Sequence, residues 1–206
     1  MPRFTVLHVC VGNICRSPMA ERLLHQALRE HVGDAVDDLY LSHGCGTGSW
    51  HIGEPMNPPA ARQLRQRGVD PTGFAARKIT AALVDESDLV LCATSVQVSA
   101  VLALRPDAAG KTFVLGEFGR LLGSIPEPQL DGLPDDPYER GLELVARVDA
   151  RRDSAGAREA PRAKDDLDDP WGMGDHEFNR VAGEIEQTVV PLAAALAGVA
   201  PPRGTR

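Results

Sequence analysis

Residues 4–9 read FTVLHV, a short β-branched apolar run. It passes directly into Cys10-Val-Gly-Asn-Ile-Cys-Arg-Ser-Pro18 and then into MAERLLHQAL, with apolar residues at Met19, Leu23, Leu24 and Leu28. The run reads as a buried strand, and the spacing after it as one face of a helix. Pro18 suits the first turn of that helix, where a missing N–H costs nothing. A buried strand that feeds a helix through a tight loop constrains everything downstream, because such strands pair in parallel only when helices cover both faces of the sheet. The alternation continues. Residues 40–42 predict a short strand and 59–67 a helix stopped by Gly68. Thr80 caps a short helix before a second buried strand at 89–93, LVLCA. Ser95 opens a helix that must end near Arg105 because Pro106 follows, residues 112–115 form a further core strand, and 117–122 a short helix. Residues 177–196 predict a long amphipathic helix through Phe178, Val181, Ile185, Val189 and Leu192. No internal repeat is present.

With 206 residues, the chain fits one domain, expected over 1–199, with a frayed tail from Ala200. Residues 123–164 read differently from the rest and are expected to be an insertion or variable region. Pro126, Pro128, Pro134 and Pro137 break the chain, 139–152 have helical spacing at Leu142, Val145 and Val148, and 154–164 read as a mobile loop. Lys and Arg total 22 against 29 Asp and Glu, a net charge of −7 that argues against general nucleic-acid binding. Residues 131–169 hold 12 acidic and 7 basic side chains, −5 of that total, so an anionic substrate remains compatible with the remainder. The apolar run 189–197 is interrupted by Pro191 and is too short to insert in a membrane. MPRFTVLHVC lacks a basic-then-apolar leader, and four cysteines make no disulfide scaffold, so a monomer in the reducing cytoplasm is expected.

The chemistry concentrates in the first loop. Between a strand and a helix, successive backbone N–H groups of Val11, Gly12, Asn13, Ile14 and Cys15 can point into an anion-binding nest, reinforced by the helix N-terminus. Arg16 can grip two phosphate oxygens with its planar fork, and the same field favours a thiolate nucleophile at Cys10. Gly12 lets the backbone turn closely, while Asn13 and Ser17 can hold the loop by side-chain hydrogen bonds, Ser17 also to the sulfur. Ester hydrolysis through a cysteine further needs an acid on a second loop. Asp136-Pro-Tyr138 and Asp169-Pro-Trp171 both offer one. Asp136 reads equally well as a turn former.

Cys10-Val-Gly-Asn-Ile-Cys-Arg-Ser-Pro-Met-Ala-Glu21 resembles the active-site signature of the low-molecular-weight protein tyrosine phosphatases almost residue for residue. The resemblance covers residues 4–122 and 164–196. It implies a phosphotyrosine phosphatase I-like fold, α/β in three α/β/α layers with a four-stranded parallel sheet. The activity implied is hydrolysis of a tyrosine-phosphorylated protein or a small aryl phosphate through a phosphocysteine, with no metal and no cofactor. In that family the acid precedes a Gly-rich stretch, an acidic residue and a Phe that opens the last helix. Asp169-Pro-Trp-Gly-Met-Gly-Asp-His-Glu-Phe178 resembles this, which selects Asp169 over Asp136. The segment Ser42-His-Gly-Cys-Gly-Thr-Gly-Ser-Trp-His-Ile-Gly-Glu-Pro55 resembles the family's second loop. By that likeness Trp50 and Trp171 wall the cleft, and Ser42 hydrogen-bonds Asn13.

Cys15, inside the loop, is a candidate redox partner for Cys10. Cys92 reads as inert core, and Cys45 has no assigned role. The six histidines show no ligand spacing, so no metal is expected. The chain departs from the family at Phe74-Ala-Ala-Arg-Lys-Ile-Thr80, which lacks a preceding His, and at Ala93-Thr94, which replaces Met-Asp. Two other readings share the loop. The thiol-dependent arsenate reductases would need two more relay cysteines, and a non-catalytic phosphate-binding module would not need an acid.

Overall fold

The computed structural model describes residues 2–126, 130, 132–153 and 163–199. Four strands, β1 (Phe4–Cys10), β2 (Tyr40–Gly46), β3 (Leu89–Cys92) and β4 (Thr112–Val114), form one parallel sheet in the order β2-β1-β3-β4. The two-residue period of β1 decides what goes where. Phe4, Val6 and Cys10 join a core with α1 (Arg16–Val32), α3 (Pro58–Gln66), α6 (Leu115–Leu122), α7 (Pro137–Ala150) and α8 (Asp175–Ala197). Leu7 and Val9 face the opposite core, closed by α4 (Ala81–Asp85) and α5 (Ser95–Leu104). The short α2 (Val36–Leu39) links α1 to β2. Helices therefore cover both faces, giving the three-layer α/β/α architecture.

From β1 the chain moves outward to β2, then returns across β1 to β3, so the strand order reverses at β1. In open parallel sheets, ligands settle in the crevice at the carboxyl ends of strands where this reversal occurs. That edge is where Cys10 ends β1.

Several boundaries differ from the sequence reading. β2 runs four residues past Ser42 to Gly46, through His43-Gly-Cys-Gly. This stretch has no apolar pattern, but its register pairs Gly46 with Cys10. α6 starts at Leu115 rather than Glu117, and α8 carries Pro191 within it.

Within the region expected as an insertion, the helix Pro137–Ala150 packs into the core. Asp136 Oδ1 accepts from Tyr138 N and Glu139 N, both at 3.0 Å, and so caps α7. Gly141, Leu144, Val145 and Val148, spaced i, i+3, i+4, i+7, form its buried stripe. A Cβ on Gly141 would stand 2.2 Å from the Phe4 ring, so helix and strand meet at closest approach. Leu142, expected on the buried face, falls off that stripe and is 37% exposed. Just beyond α7, Arg152 is buried with both nitrogen edges on Glu117 at 2.9 Å, a third bond to Thr112 O at 2.7 Å, and its guanidinium over the Phe113 ring. Most of the loop expected at 154–164, and the tail from Ala200, lie outside the described residues. Among the described residues no helix is long and apolar enough to cross a membrane.

Candidate active site

The loop from Cys10 to Arg16 is held open by its neighbours. Its carbonyls are taken from outside: Cys10 O accepts from Thr47 N, Val11 O from Gly48 N, and Ile14 O from Asn57 N. Among the described residues, the N–H groups of Gly12, Ile14 and Cys15 meet no acceptor. The loop thus presents donors inward, which is the composition of an anion nest. Asn13 stands at φ +55°, a left-handed conformation that asparagine tolerates better than most residues. Its N–H donates to Cys10 Sγ at 3.2 Å. Its side chain is fixed at both ends, with Oδ1 accepting from Arg77 N at 2.9 Å and Nδ2 donating to Ser17 Oγ at 2.8 Å. Ser17 Oγ in turn lies 3.0 Å from Cys10 Sγ.

Arg16, 5% exposed, opens α1 and turns toward the segment before α8. Nη1 donates to Leu167 O at 2.9 Å and Nη2 to Asp169 Oδ2 at 2.7 Å. These contacts occupy two of its five N–H donors and leave three for a bound anion. Asp169 is half exposed on the rim, its other oxygen receiving Trp171 N at 3.2 Å. Asp136, the alternative acid, has its carboxylate committed to capping α7.

Cys10 and Arg16 line an open cleft of about 460 Å³, with Trp50 and His51 from the β2–α3 loop and Asp169 and Trp171 from the loop before α8. Trp50 is 70% and Trp171 64% exposed, so both indoles present apolar surface to whatever enters. The Trp50 indole lies directly on Gly48, where a Cβ would fall 1.2 Å from the ring. His51 was not singled out from sequence. It covers Gly12 and contacts Glu54 Oε2 at 2.6 Å.

Ser42 does not reach Asn13. Its register partner is Val6, four rungs below the Cys10–Gly46 pair, about 13 Å down the strand. There it contacts His8 Nε2 at 3.1 Å and donates to Glu21 O at 2.9 Å. The support for Asn13 comes from Ser17 and Arg77 instead. Arg77 sits in a segment whose motif was read but whose contact with the loop has no local signature.

Cys15 is buried within the loop, and burial, with Cys10 and Asp169 adding, pushes its thiol up to about 12. Cys45 is likewise pushed to about 12 by burial, and Cys92 well above the usual thiol range by the same cause. All four cysteines are unpaired. Among the described residues no group of three or more His, Cys, Asp or Glu could hold a metal ion.

Residues 5–155 match the family model for low molecular weight phosphotyrosine protein phosphatase. The matched span stops short of Asp169, whose place rests on the geometry above. The chain is 38% identical over 146 residues to the probable low molecular weight protein-tyrosine-phosphatase EpsP of Ralstonia solanacearum, covering 71% of this chain and 85% of the relative. It is 31% identical over 137 residues to the low molecular weight phosphotyrosine protein phosphatase of Schizosaccharomyces pombe, covering 66% and 81%. Among solved structures, Vibrio vulnificus Wzb in complex with benzylphosphonate superposes with a TM-score of 0.62 at 22% identity, over 93% of this chain and 97% of that one. The protein tyrosine phosphatase of Entamoeba histolytica gives 0.65 at 19% identity, over 92% and 94%. These two likenesses establish the shared fold. With the matched family span and the relatives above 30% identity, the chain belongs to the low molecular weight phosphotyrosine protein phosphatase family.

Proposed function

We propose that the protein hydrolyses phosphotyrosine or another aryl phosphate monoester through a phosphocysteine. One observation carries the reading: a sulfur held by Ser17 Oγ and Asn13 N, at the floor of a donor-lined loop, shares one cleft with an Arg16–Asp169 pair at 2.7 Å. Cys10 Sγ attacks phosphorus, forming the S–P bond as the P–O bond to the aryl group breaks. The loop N–H groups and the free donors of Arg16 take the three equatorial oxygens. The Asp169 carboxyl, as general acid, gives a proton to the departing phenolic oxygen. The resulting carboxylate then takes a proton from water as that water attacks phosphorus, breaking the S–P bond and releasing phosphate. Trp50 and Trp171 supply apolar walls suited to an aromatic leaving group. An unpaired nucleophilic thiol suits the reducing cytoplasm. The arsenate-reductase reading is disfavoured because Cys45 and Cys92 are both fully buried, leaving no exposed thiol to relay a disulfide outward.

Turnover of p-nitrophenyl phosphate between pH 4.5 and 8, with EDTA present, tests the reading. Cys10→Ser is expected to abolish turnover. Asp169→Asn should slow it about 10²- to 10⁴-fold and remove the basic limb of the pH profile. Undiminished turnover by Cys10→Ser would overturn the mechanism.

A further inference from the structure

The segment that brings Asp169 to the cleft is tied down at successive residues, and one tie has no counterpart in the reaction described. Asp165 accepts from Arg120 through both oxygens, at 3.2 and 2.9 Å, and its backbone lies against Gly116, where a Cβ would stand 2.6 Å from Asp165 O. Leu167 N donates to Ala93 O at 2.8 Å. Asp168 pairs with Arg180 at 2.8 Å on the exposed side. Between them, Asp166 turns its carboxylate onto the first residue of α5, with Oδ1 accepting from Ser95 N at 2.7 Å and Oδ2 from Ser95 Oγ at 3.0 Å.

α5 does not cap itself. Thr94 stands at its N-cap position but gives its hydroxyl to Gln97 Oε1 at 2.7 Å, with no side-chain bond to the helix backbone. Asp166 therefore supplies from a distant segment the acceptor and negative charge that a helix start requires. The anchorage point matters too. Ala93 N donates to Val9 O at 2.7 Å, one residue before Cys10, and Ala93 O receives Leu167 N. Ala93 is thus hydrogen-bonded to the strand that ends in the nucleophile, and Leu167 and Asp166 fix the acid loop to Ala93 and Ser95 beside it.

We propose that Asp166 is a positioning residue for the acid. By capping α5 it sets the height of the loop over the sheet edge and holds the Asp169 carboxyl where the leaving oxygen departs. The inference rests on the reading of Asp169 as the proton donor. Losing Asp166 loosens proton delivery and leaves the Cys10 loop intact, so the loss should grow with how badly the leaving group needs a proton.

The test compares kcat/KM, which reports phosphoryl transfer to Cys10, for phenyl phosphate and 2,4-dinitrophenyl phosphate, alongside inhibition by inorganic phosphate. For Asp166→Asn the phenyl ester should lose about 10-fold or more and the dinitrophenyl ester less than about 3-fold, with phosphate inhibition unchanged. Ser95→Ala, which removes only the hydroxyl donor, should move the same way by less and remains informative if the aspartate variant folds poorly. Equal loss on both esters, weaker phosphate inhibition, or no loss in either variant would overturn the proposal. Asp169→Asn is measured in parallel. A leaving-group-dependent loss in Asp169→Asn that is absent in Asp166→Asn rejects the positioning role alone, whereas no leaving-group dependence in Asp169→Asn rejects the acid reading beneath it.

Discussion

Ser17 has one hydroxyl proton and two acceptors within reach, Cys10 Sγ at 3.0 Å and Cys45 O at 3.4 Å, while Asn13 Nδ2 donates into its oxygen at 2.8 Å. The Asn13 amide cannot flip, because its oxygen receives Arg77 N. The Ser17 oxygen is thus an acceptor for Asn13, and its proton goes to the closer sulfur, since 3.4 Å is long for an O–H···O bond. Ser17→Ala removes this hydrogen bond to the attacking sulfur and should slow turnover of p-nitrophenyl phosphate by about 10-fold. An unchanged rate would mean that the proton goes elsewhere. Gly46 sets the other side of the loop, since a Cβ there would lie 2.5 Å from Val11 O and 3.0 Å from Asn13 N. Both are backbone atoms that cannot move aside, so Gly46→Ala should reduce turnover at least about 10-fold with KM for p-nitrophenyl phosphate raised. Cys10, Arg16 and Ser17 were readable because one contiguous loop carries them. The contacts that Arg77 and His51 make with the loop, and Asp166 with Ser95, were not, because each joins separate segments and no local pattern states which partner is reached. Ser42 was misplaced because a motif fixes residue order, while strand register fixes height along the sheet.

At the level of elements, the strands and most helices were readable because their apolar periods match their burial, as in the Phe178 to Leu192 stripe of α8. The role of α7 was hidden for a physical reason. Its anchor is a polar contact across 35 residues, Arg152 to Glu117, and sequence alone makes Arg152 one more charge at a helix end. Arg152→Met would leave Glu117 buried without its partner, which typically costs about 3–5 kcal/mol. Adding Glu117→Gln should restore part of that, because a glutamine oxygen can still accept from Val114 N as Glu117 Oε2 does at 3.1 Å. Urea unfolding of the two variants and the wild type decides this, and equal stability of single and double variants would refute it. Asp136→Ala removes the α7 cap and should cost about 1 kcal/mol of stability with kcat/KM unchanged. Loss of turnover in that variant would return Asp136 to the catalytic question.

Across the whole molecule, one buried and two part-buried titratable groups near the β1–β2 seam set an opposing pH response. Ser42 donates to Glu21 O, so its oxygen must accept from His8 Nε2; Ser87 donates to Leu83 O at 2.6 Å, so it accepts from His43 Nε2 while Arg77 donates to His43 Nδ1. Both imidazoles therefore carry a proton on Nε2; Arg77 occupies the second nitrogen of His43, while Nδ1 of His8 is buried with no partner among the described residues. Burial lowers His8 to about 3, with the His43 ring adding, and His43 to about 4, with the Arg77 guanidinium adding. Burial raises Glu21 to about 7 against the pull of Arg22 and Arg77. The histidines, with folded values below their unfolded 6.5, add stability that is full above pH 6.5 and is lost as pH falls through 4 and 3. Glu21, with its folded value above its unfolded 4.5, adds stability that is full below pH 4.5 and is lost as pH rises through 7. Between pH 4.5 and 6.5 two rising contributions outweigh one falling contribution, and above 6.5 Glu21 acts alone. The contribution of these groups therefore peaks near pH 6.5; Glu21 loses at most about 3 kcal/mol over the whole span from pH 4.5 to 7, and under about 1 kcal/mol of that falls above the peak. Thermal melts from pH 4 to 8 should show the difference between Glu21→Gln and wild type growing in favour of the variant from pH 5 to 7.5. His43→Gln should instead flatten the acid side. A wild-type minus Glu21→Gln difference that is constant with pH would show that Glu21 ionises in the folded protein as it does in the unfolded chain.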